Sequence, residues 1–188
     1  MKRVTFILGG ARSGKSHYAE TLARRAKKRT YIATAEAIDE EMRDRIATHR
    51  DRRGEDWTTC EAPLDLVTAL HDADEAGSLV VIDCITVWIG NLMHYGRPVC
   101  EEVERLCEML LSTAGEVIIV ANEVGLGIVP DNAPARRFRD EAGRANQKIA
   151  AIADEVIFMS AGLPLVLKKR SRSRSLRKSK ASARARKA

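Results

Sequence analysis

The stretch Leu8-Gly9-Gly10-Ala11-Arg12-Ser13-Gly14-Lys15-Ser16 decides how the rest of this chain is read. It follows the apolar run Val4–Leu8 and opens a segment, Lys15–Lys27, with helical spacing. Residues 9 to 16 satisfy GxxxxGK[ST] in the strand–turn–helix context which that pattern requires. The glycines let the backbone turn tightly, so that successive N–H groups and a helix N-terminus face phosphate oxygens. Lys15 then reaches the β- and γ-phosphates, and the Ser16 hydroxyl is placed to hold Mg²⁺. The dinucleotide fingerprint GxGxxG does not fit this spacing. A nucleoside triphosphate is the expected ligand, with Gly9, Gly10, Ala11, Arg12, Ser13, Gly14, Lys15 and Ser16 around its phosphates.

Outward from this turn, apolar β-branched runs recur at Val4–Leu8, Thr30–Thr34, Leu79–Ile82, Glu116–Ala121 and Glu155–Ser160, with a further one at Leu163–Leu167. Between them, Lys15–Lys27, Asp39–Arg53, Leu64–Asp74, Val99–Ala114 and Pro134–Ala153 have helical spacing. This alternation predicts an α/β fold with a mostly parallel sheet covered by helices on both faces. Right-handed crossovers then bring the C-terminal ends of the parallel strands to one edge, where ligands collect. Two acidic positions fall there. The run Leu79–Ile82 ends at Asp83, the pattern of a strand whose carboxylate holds Mg²⁺ beside a P-loop; capping of the following segment is the alternative. The run through Ala121 ends at Asn122 and Glu123, and a carboxylate there could activate a hydroxyl or bind substrate.

The 188 residues suit one domain plus an extension, and 45% apolar with 31% charged content is ordinary for a globular protein. The net charge of +6 is unevenly spread. Eleven Lys or Arg and no acid lie from Lys168 to the end, and without them the body carries −5. We therefore expect a P-loop domain over residues 1–168 and a basic, disordered tail over 169–188. That tail is either a solvated extension or a salt-sensitive grip on nucleic acid. No apolar run approaches the roughly 20 residues that span a bilayer, and the start of the chain lacks a secretory pattern, so the expected location is the cytoplasm. Cys60, Cys84, Cys100 and Cys107 are scattered without metal-ligand spacing and read as reduced, structural thiols.

His49 stands out in the second helical segment. Met42, Arg45, Ile46 and His49 share a face by their spacing. Arg45, Arg50, Arg52 and Arg53 nearby disfavour a cationic imidazole, which leaves a neutral nucleophile. From the residues alone, a surface histidine is the competing reading. Farther on, Asn132 and Pro134 suit a helix start. Arg136, Arg137 and Arg139 then read as a solvated face, a subunit contact or a guide for an anionic substrate.

The motifs together carry a resemblance. GGARSGKS, Tyr31-Ile32-Ala33-Thr34, Glu41-Met42-x-x-Arg45-Ile46-x-x-His49-x-x-x-Arg53 and Trp57-x-Thr59-x-Glu61 are similar to the bifunctional adenosylcobinamide kinase/adenosylcobinamide-phosphate guanylyltransferases of cobalamin assembly. So are Asp83-Cys84-Ile85-Thr86, Asn91-Leu92, Asn122-Glu123-Val124-Gly125-x-Gly127-Ile128-Val129-Pro130 and Arg136-x-Phe138-Arg139-Asp140-x-x-Gly143-x-x-Asn146-Gln147. The resemblance implies a RecA-like P-loop sheet and two reactions. In the first, ATP or GTP phosphorylates adenosylcobinamide; in the second, GTP donates GMP to that phosphate through a guanylylated histidine, giving adenosylcobinamide-GDP and pyrophosphate. It implies His49 as that nucleophile; Lys15 and Glu123 are expected beside it as catalytic groups from the P-loop and strand-end readings above. It further implies nucleotide contacts at Ala33, Thr34, Ala35, Arg50, Asp51, Arg52, Arg53, Glu61 and Asp83, next to the Mg²⁺ that the P-loop and strand-end patterns place on Ser16 and Asp83. A homotrimer is the implied assembly. Thr48 stands where some relatives carry a second histidine, and the basic tail exceeds the family's usual close. Two other functions fit the P-loop: a small-molecule kinase without nucleotidyl transfer, and a nucleotide-gated regulatory protein whose tail docks on polyanions.

Overall fold

Near-continuous apolar strands need cover on both faces, and the order of elements supplies it. The computed structural model describes residues 3–37, 40, 43–44, 47–48, 50, 54 and 56–170. It runs β1 (Arg3–Gly9), α1 (Lys15–Ala23), β2 (Arg29–Ala33), β3 (Thr58–Glu61), α2 (Leu66–Ala73) and β4 (Leu79–Asp83). It continues through α3 (Ile85–His94), α4 (Val99–Ser112), β5 (Glu116–Asn122), α5 (Ala133–Ile152), β6 (Glu155–Ser160) and β7 (Leu163–Lys169). The strands form one sheet in the order β3-β2-β4-β5-β1-β6-β7. All neighbouring pairs are parallel except β6–β7.

The two faces are covered unequally. On one, Phe6, Leu8, Ile32, Val80, Ile82, Val117 and Ile119 pack with residues of α2, α3, α4 and α5, Trp88, Leu106 and Ile149 among them. Trp88 is fully buried, and its indole donates to Leu64 O at 2.8 Å. Removing such a side chain costs about 3–5 kcal/mol. On the other face Ile7, Tyr31, Val81, Ile118 and Ile157 pack with Ala19 and Ala23 of α1.

Three features differ from the sequence expectation. The strand β3 and the helix α3 were not anticipated, and α1 stops at Ala23 rather than Lys27. Thr58–Glu61 is four half-exposed residues with little apolar pattern, so its strand character comes from pairing with β2. Helix α3 begins with the β-branched Ile85, Thr86 and Val87, which favour strand locally; burial of Ile85, Trp88, Ile89 and Leu92 against the core overrides that preference. The final strand turns back antiparallel because Ala161 (φ 50°) and Gly162 (φ 80°) form a two-residue turn with both central residues left-handed. Asn132 caps α5 as its sequence suggests, accepting from Ala135 N at 2.8 Å.

Candidate functional site

The P-loop sits on the α1 face at the end of β1, the strand between β5 and β6. Gly9 is required by a close approach: a Cβ there would lie 2.4 Å from Met159 O and 2.8 Å from Ser13 Oγ. Gly14 takes φ 97° at the N-cap of α1, a conformation that glycine adopts without strain. The turn is closed by Ser13 N donating to Gly10 O at 3.3 Å and braced from the β6–β7 turn, where Gly162 N donates to Ser13 O at 3.0 Å. The first-turn N–H groups of α1 have no partner within the helix, which suits an anion. Lys15 is 7% exposed, and its ammonium donates to Gly10 O at 2.6 Å and Ser13 Oγ at 3.5 Å. Burial pulls its pKa below the ordinary lysine value, an effect opposed by the neighbouring Cys84 and Asp83.

Strand register lines up the other candidates. Glu61 pairs with Ala33, Ala33 with Asp83, and Gly9 with Asn122. Glu61, Ala33, Asp83, Asn122 and Gly9 therefore follow one another along a single edge. Glu123 continues from β5, its amide donating to Gly9 O at 3.0 Å, while its Oε1 accepts from Gly125 N at 2.7 Å. Asp83 is half-buried, with Oδ2 accepting from the Tyr31 hydroxyl at 2.8 Å. Burial and the Asp83 charge push the Cys84 thiol up to about 12, so it stays protonated. Ala11, Arg12 and Arg50 are exposed, and Ser16 and Ala35 are half-buried.

Thr34 is fully buried, accepting from Cys84 N and donating to Cys84 O, each at 2.8 Å. Its carbonyl accepts from Asn91 Nδ2 at 2.8 Å, and the same amide donates to Pro63 O at 3.0 Å. Asn91 thus ties the exits of β2 and β3 together. Sequence reasoning singled out Asn91 and Tyr31 only as family motif residues; their roles depend on strand neighbours that local patterns do not report. Arg136 donates to Pro130 O at 3.0 Å and Asp131 O at 2.8 Å, holding the loop before α5. His49, Asp51, Arg52 and Arg53 lie outside the described residues, as do Glu41, Met42, Arg45 and Ile46 of the segment expected to be helical from its spacing, and residues 171–188 of the tail.

The donors suit Mg²⁺. One carboxylate (Asp83) and one hydroxyl (Ser16) are too few to cage a cation alone, but enough for one that keeps waters and phosphate oxygens. Among the described residues no group of three or more His, Cys, Asp or Glu offers an all-protein metal site. Among the same residues no helix is long and apolar enough to cross a membrane. A depression lined by Arg25, Lys27, Gly77, Ser78 and Glu116 opens near the N-terminal ends of β4 and β5, away from this edge.

Among solved structures, the chain resembles an ATPase from the type III secretion system of pathogenic bacteria. The TM-score is 0.51 at 12% identity, over 90% of this chain and 57% of that one, a likeness of fold alone. It supports a RecA-like P-loop sheet. The chain is 48% identical over 165 residues to the bifunctional adenosylcobalamin biosynthesis protein CobP of Pseudomonas aeruginosa, covering 86% of this chain and 95% of the relative. It is 39% identical over 180 residues to the bifunctional adenosylcobalamin biosynthesis protein CobU of Salmonella typhimurium, covering 86% and 98%. The sequence profile for cobinamide kinase / cobinamide phosphate guanyltransferase matches residues 5–167, which include every strand end that forms the edge just described, and the chain belongs to that family.

Proposed function

We propose that this chain phosphorylates adenosylcobinamide with ATP or GTP and then transfers GMP from GTP to that phosphate, giving adenosylcobinamide-GDP and pyrophosphate. The observation that carries this reading is Lys15: in a chain of this family, its buried ammonium is fixed in a P-loop beside strand ends that bear Asp83 and Glu123. In the kinase step the acceptor oxygen bonds to the γ-phosphorus, the bond to the β–γ bridging oxygen breaks, and a nucleoside diphosphate leaves. The loop amides and Lys15 orient the triphosphate and meet the charge that develops on it. Glu123, with Oε1 held by Gly125 N, offers Oε2 to take the hydroxyl proton. Mg²⁺ held by Ser16 and Asp83 would neutralise charge on the β- and γ-oxygens.

In the second step a nitrogen of His49 bonds to the α-phosphorus of GTP and pyrophosphate leaves. An oxygen of adenosylcobinamide phosphate then displaces the imidazole from the same phosphorus. Splitting one displacement into two is what a nucleophilic side chain contributes. Ala33, Ala35, Arg50, Asp51, Arg52, Arg53 and Glu61 are proposed to line the nucleotide, while Thr34 acts from beneath by holding Cys84 and Asn91. We further propose residues 1–168 as the catalytic domain, with its last strand running one residue further to Lys169, the basic residues beyond Arg170 as an appended segment, a homotrimeric assembly and a cytoplasmic location.

Incubation with Mg²⁺ and GTP labelled at the α-phosphate, followed by denaturation, tests the second step. Retained label should survive alkali, be lost in acid and vanish in His49→Asn. Wild-type protein that retains no label would leave only the kinase reading.

A further inference from the structure

We propose that Tyr31 is a positioning residue for the metal-binding carboxylate: its phenol holds one oxygen of Asp83 so that the other is kept for the cation. This inference rests on the reading of Asp83 as the Mg²⁺-binding acid. It starts from strand register. Tyr31 pairs with Val81, and Ala33 with Asp83. Alternation puts Tyr31, Val81 and Asp83 on the same face, with Tyr31 and Asp83 as diagonal neighbours on adjacent strands. A diagonal of that kind is within reach of an aromatic side chain but not of a serine or threonine. The Tyr31 hydroxyl spans it and donates to Asp83 Oδ2 at 2.8 Å.

The phenol is itself held in place. Tyr31 is 4% exposed within the core cluster of the α1 face. Its ring meets Trp57 edge-on, with centroids 6.0 Å apart and planes at 82°. The Arg29 guanidinium lies over Trp57 at 5.4 Å and pairs with Asp56 at 3.2 Å. Three side chains thus brace a phenol whose hydroxyl donates to the Asp83 carboxylate. Phenylalanine would keep the buried ring and the Trp57 edge while removing the bond to Asp83. A terminal carboxylate torsion is otherwise broad and nearly two-fold. Fixing it before the ligand arrives spares binding the cost of ordering it.

The test uses the full chain. GTP binding to wild type and Tyr31→Phe is measured by titration calorimetry, once with Mg²⁺ and once with EDTA. The quantity read is the ratio of the two affinities. We expect Tyr31→Phe to bind GTP in EDTA within twofold of wild type, while the Mg²⁺ enhancement falls roughly three- to tenfold, the size of one ordinary hydrogen bond lost. In an Asp83→Asn background, where the enhancement is already gone, Tyr31→Phe should have no further effect. An enhancement unchanged in Tyr31→Phe overturns this inference alone. So does equal weakening with and without Mg²⁺, or a variant that fails to fold, because the hydroxyl would then serve structure rather than the cation. A wild type with no Mg²⁺ enhancement removes the metal role of Asp83 and this inference with it.

Discussion

Replacing Lys15 by methionine should stabilise the empty protein while disabling it. Lys15 is 7% exposed, and burial lowers its pKa from the ordinary 10.5. In the unfolded chain it holds its proton until near that value; in the folded chain it releases it at lower pH. Between the two values the unfolded chain binds more protons, so stability rises with pH across that window. Below it, the folded chain bears the whole cost of a buried ammonium. Methionine keeps the apolar stem and removes the charge, but leaves Gly10 O without the donor that Lys15 now supplies at 2.6 Å. Losing that hydrogen bond costs about 1 kcal/mol, against about 2 kcal/mol recovered by replacing a buried charge with an apolar group. The net gain of about 1 kcal/mol corresponds to a melting temperature about 2–4 °C higher for a chain of this size. The same change should lower phosphoryl transfer by about 10²–10³-fold, as removal of a donor to developing charge does. Thermal melts from pH 7 to 10.5, with and without Mg²⁺-GTP, check the stability and its pH dependence, and a phosphoryl-transfer assay checks the rate. At 100 times its Kd the nucleotide stabilises wild type by about 2.7 kcal/mol, and the variant should gain far less. A Lys15→Met protein that melts below wild type at pH 7, keeps the wild-type rise with pH and is still stabilised by GTP would refute the account.

Two further changes probe the edge beneath the nucleotide. Thr34→Val removes the hydroxyl that meets both Cys84 N and Cys84 O; two orphaned backbone groups should cost about 2–4 kcal/mol in urea unfolding, and Thr34→Ser should restore most of it. Loss of less than about 0.5 kcal/mol in the valine variant would show that water or a shifted neighbour replaces these bonds. At pH 8, iodoacetamide should label the exposed Cys100 quickly and Cys84 only on unfolding, since the Cys84 thiol is buried and pushed up to about 12. Because that folded value lies above the ordinary 9.0, the thiol's contribution to stability is complete below pH 9 and is lost as pH climbs toward 12. Native-state labelling of Cys84 at the rate of Cys100 would refute this environment.

The placement of several candidate groups is legible in the sequence alone. The spacing Gly9 to Ser16 after an apolar strand specifies a phosphate cradle, because few other uses of three glycines and a Lys-Ser pair suit a strand-to-helix turn. Asp83 and Glu123 can be placed on the sheet edge from sequence because each closes a buried apolar run. The cap at Asn132 was found because its chemistry is local. Helix α3 and strand β3 were missed for the opposite reason: Ile85-Thr86-Val87 and Thr58–Glu61 take their conformations from what they pack against or pair with, and their own preferences point elsewhere or nowhere.

The amino-acid order alone determined which candidate side chains lie at the exit of a strand, since that follows from residue type and short-range periodicity. Only the tertiary structure decided that β5 lies between the P-loop strand and the Asp83 strand, and that Tyr31 and Asp83, 52 positions apart, meet at 2.8 Å. Strand order and register emerge from burying two faces of one sheet at once, a condition on the whole chain to which no local window has access.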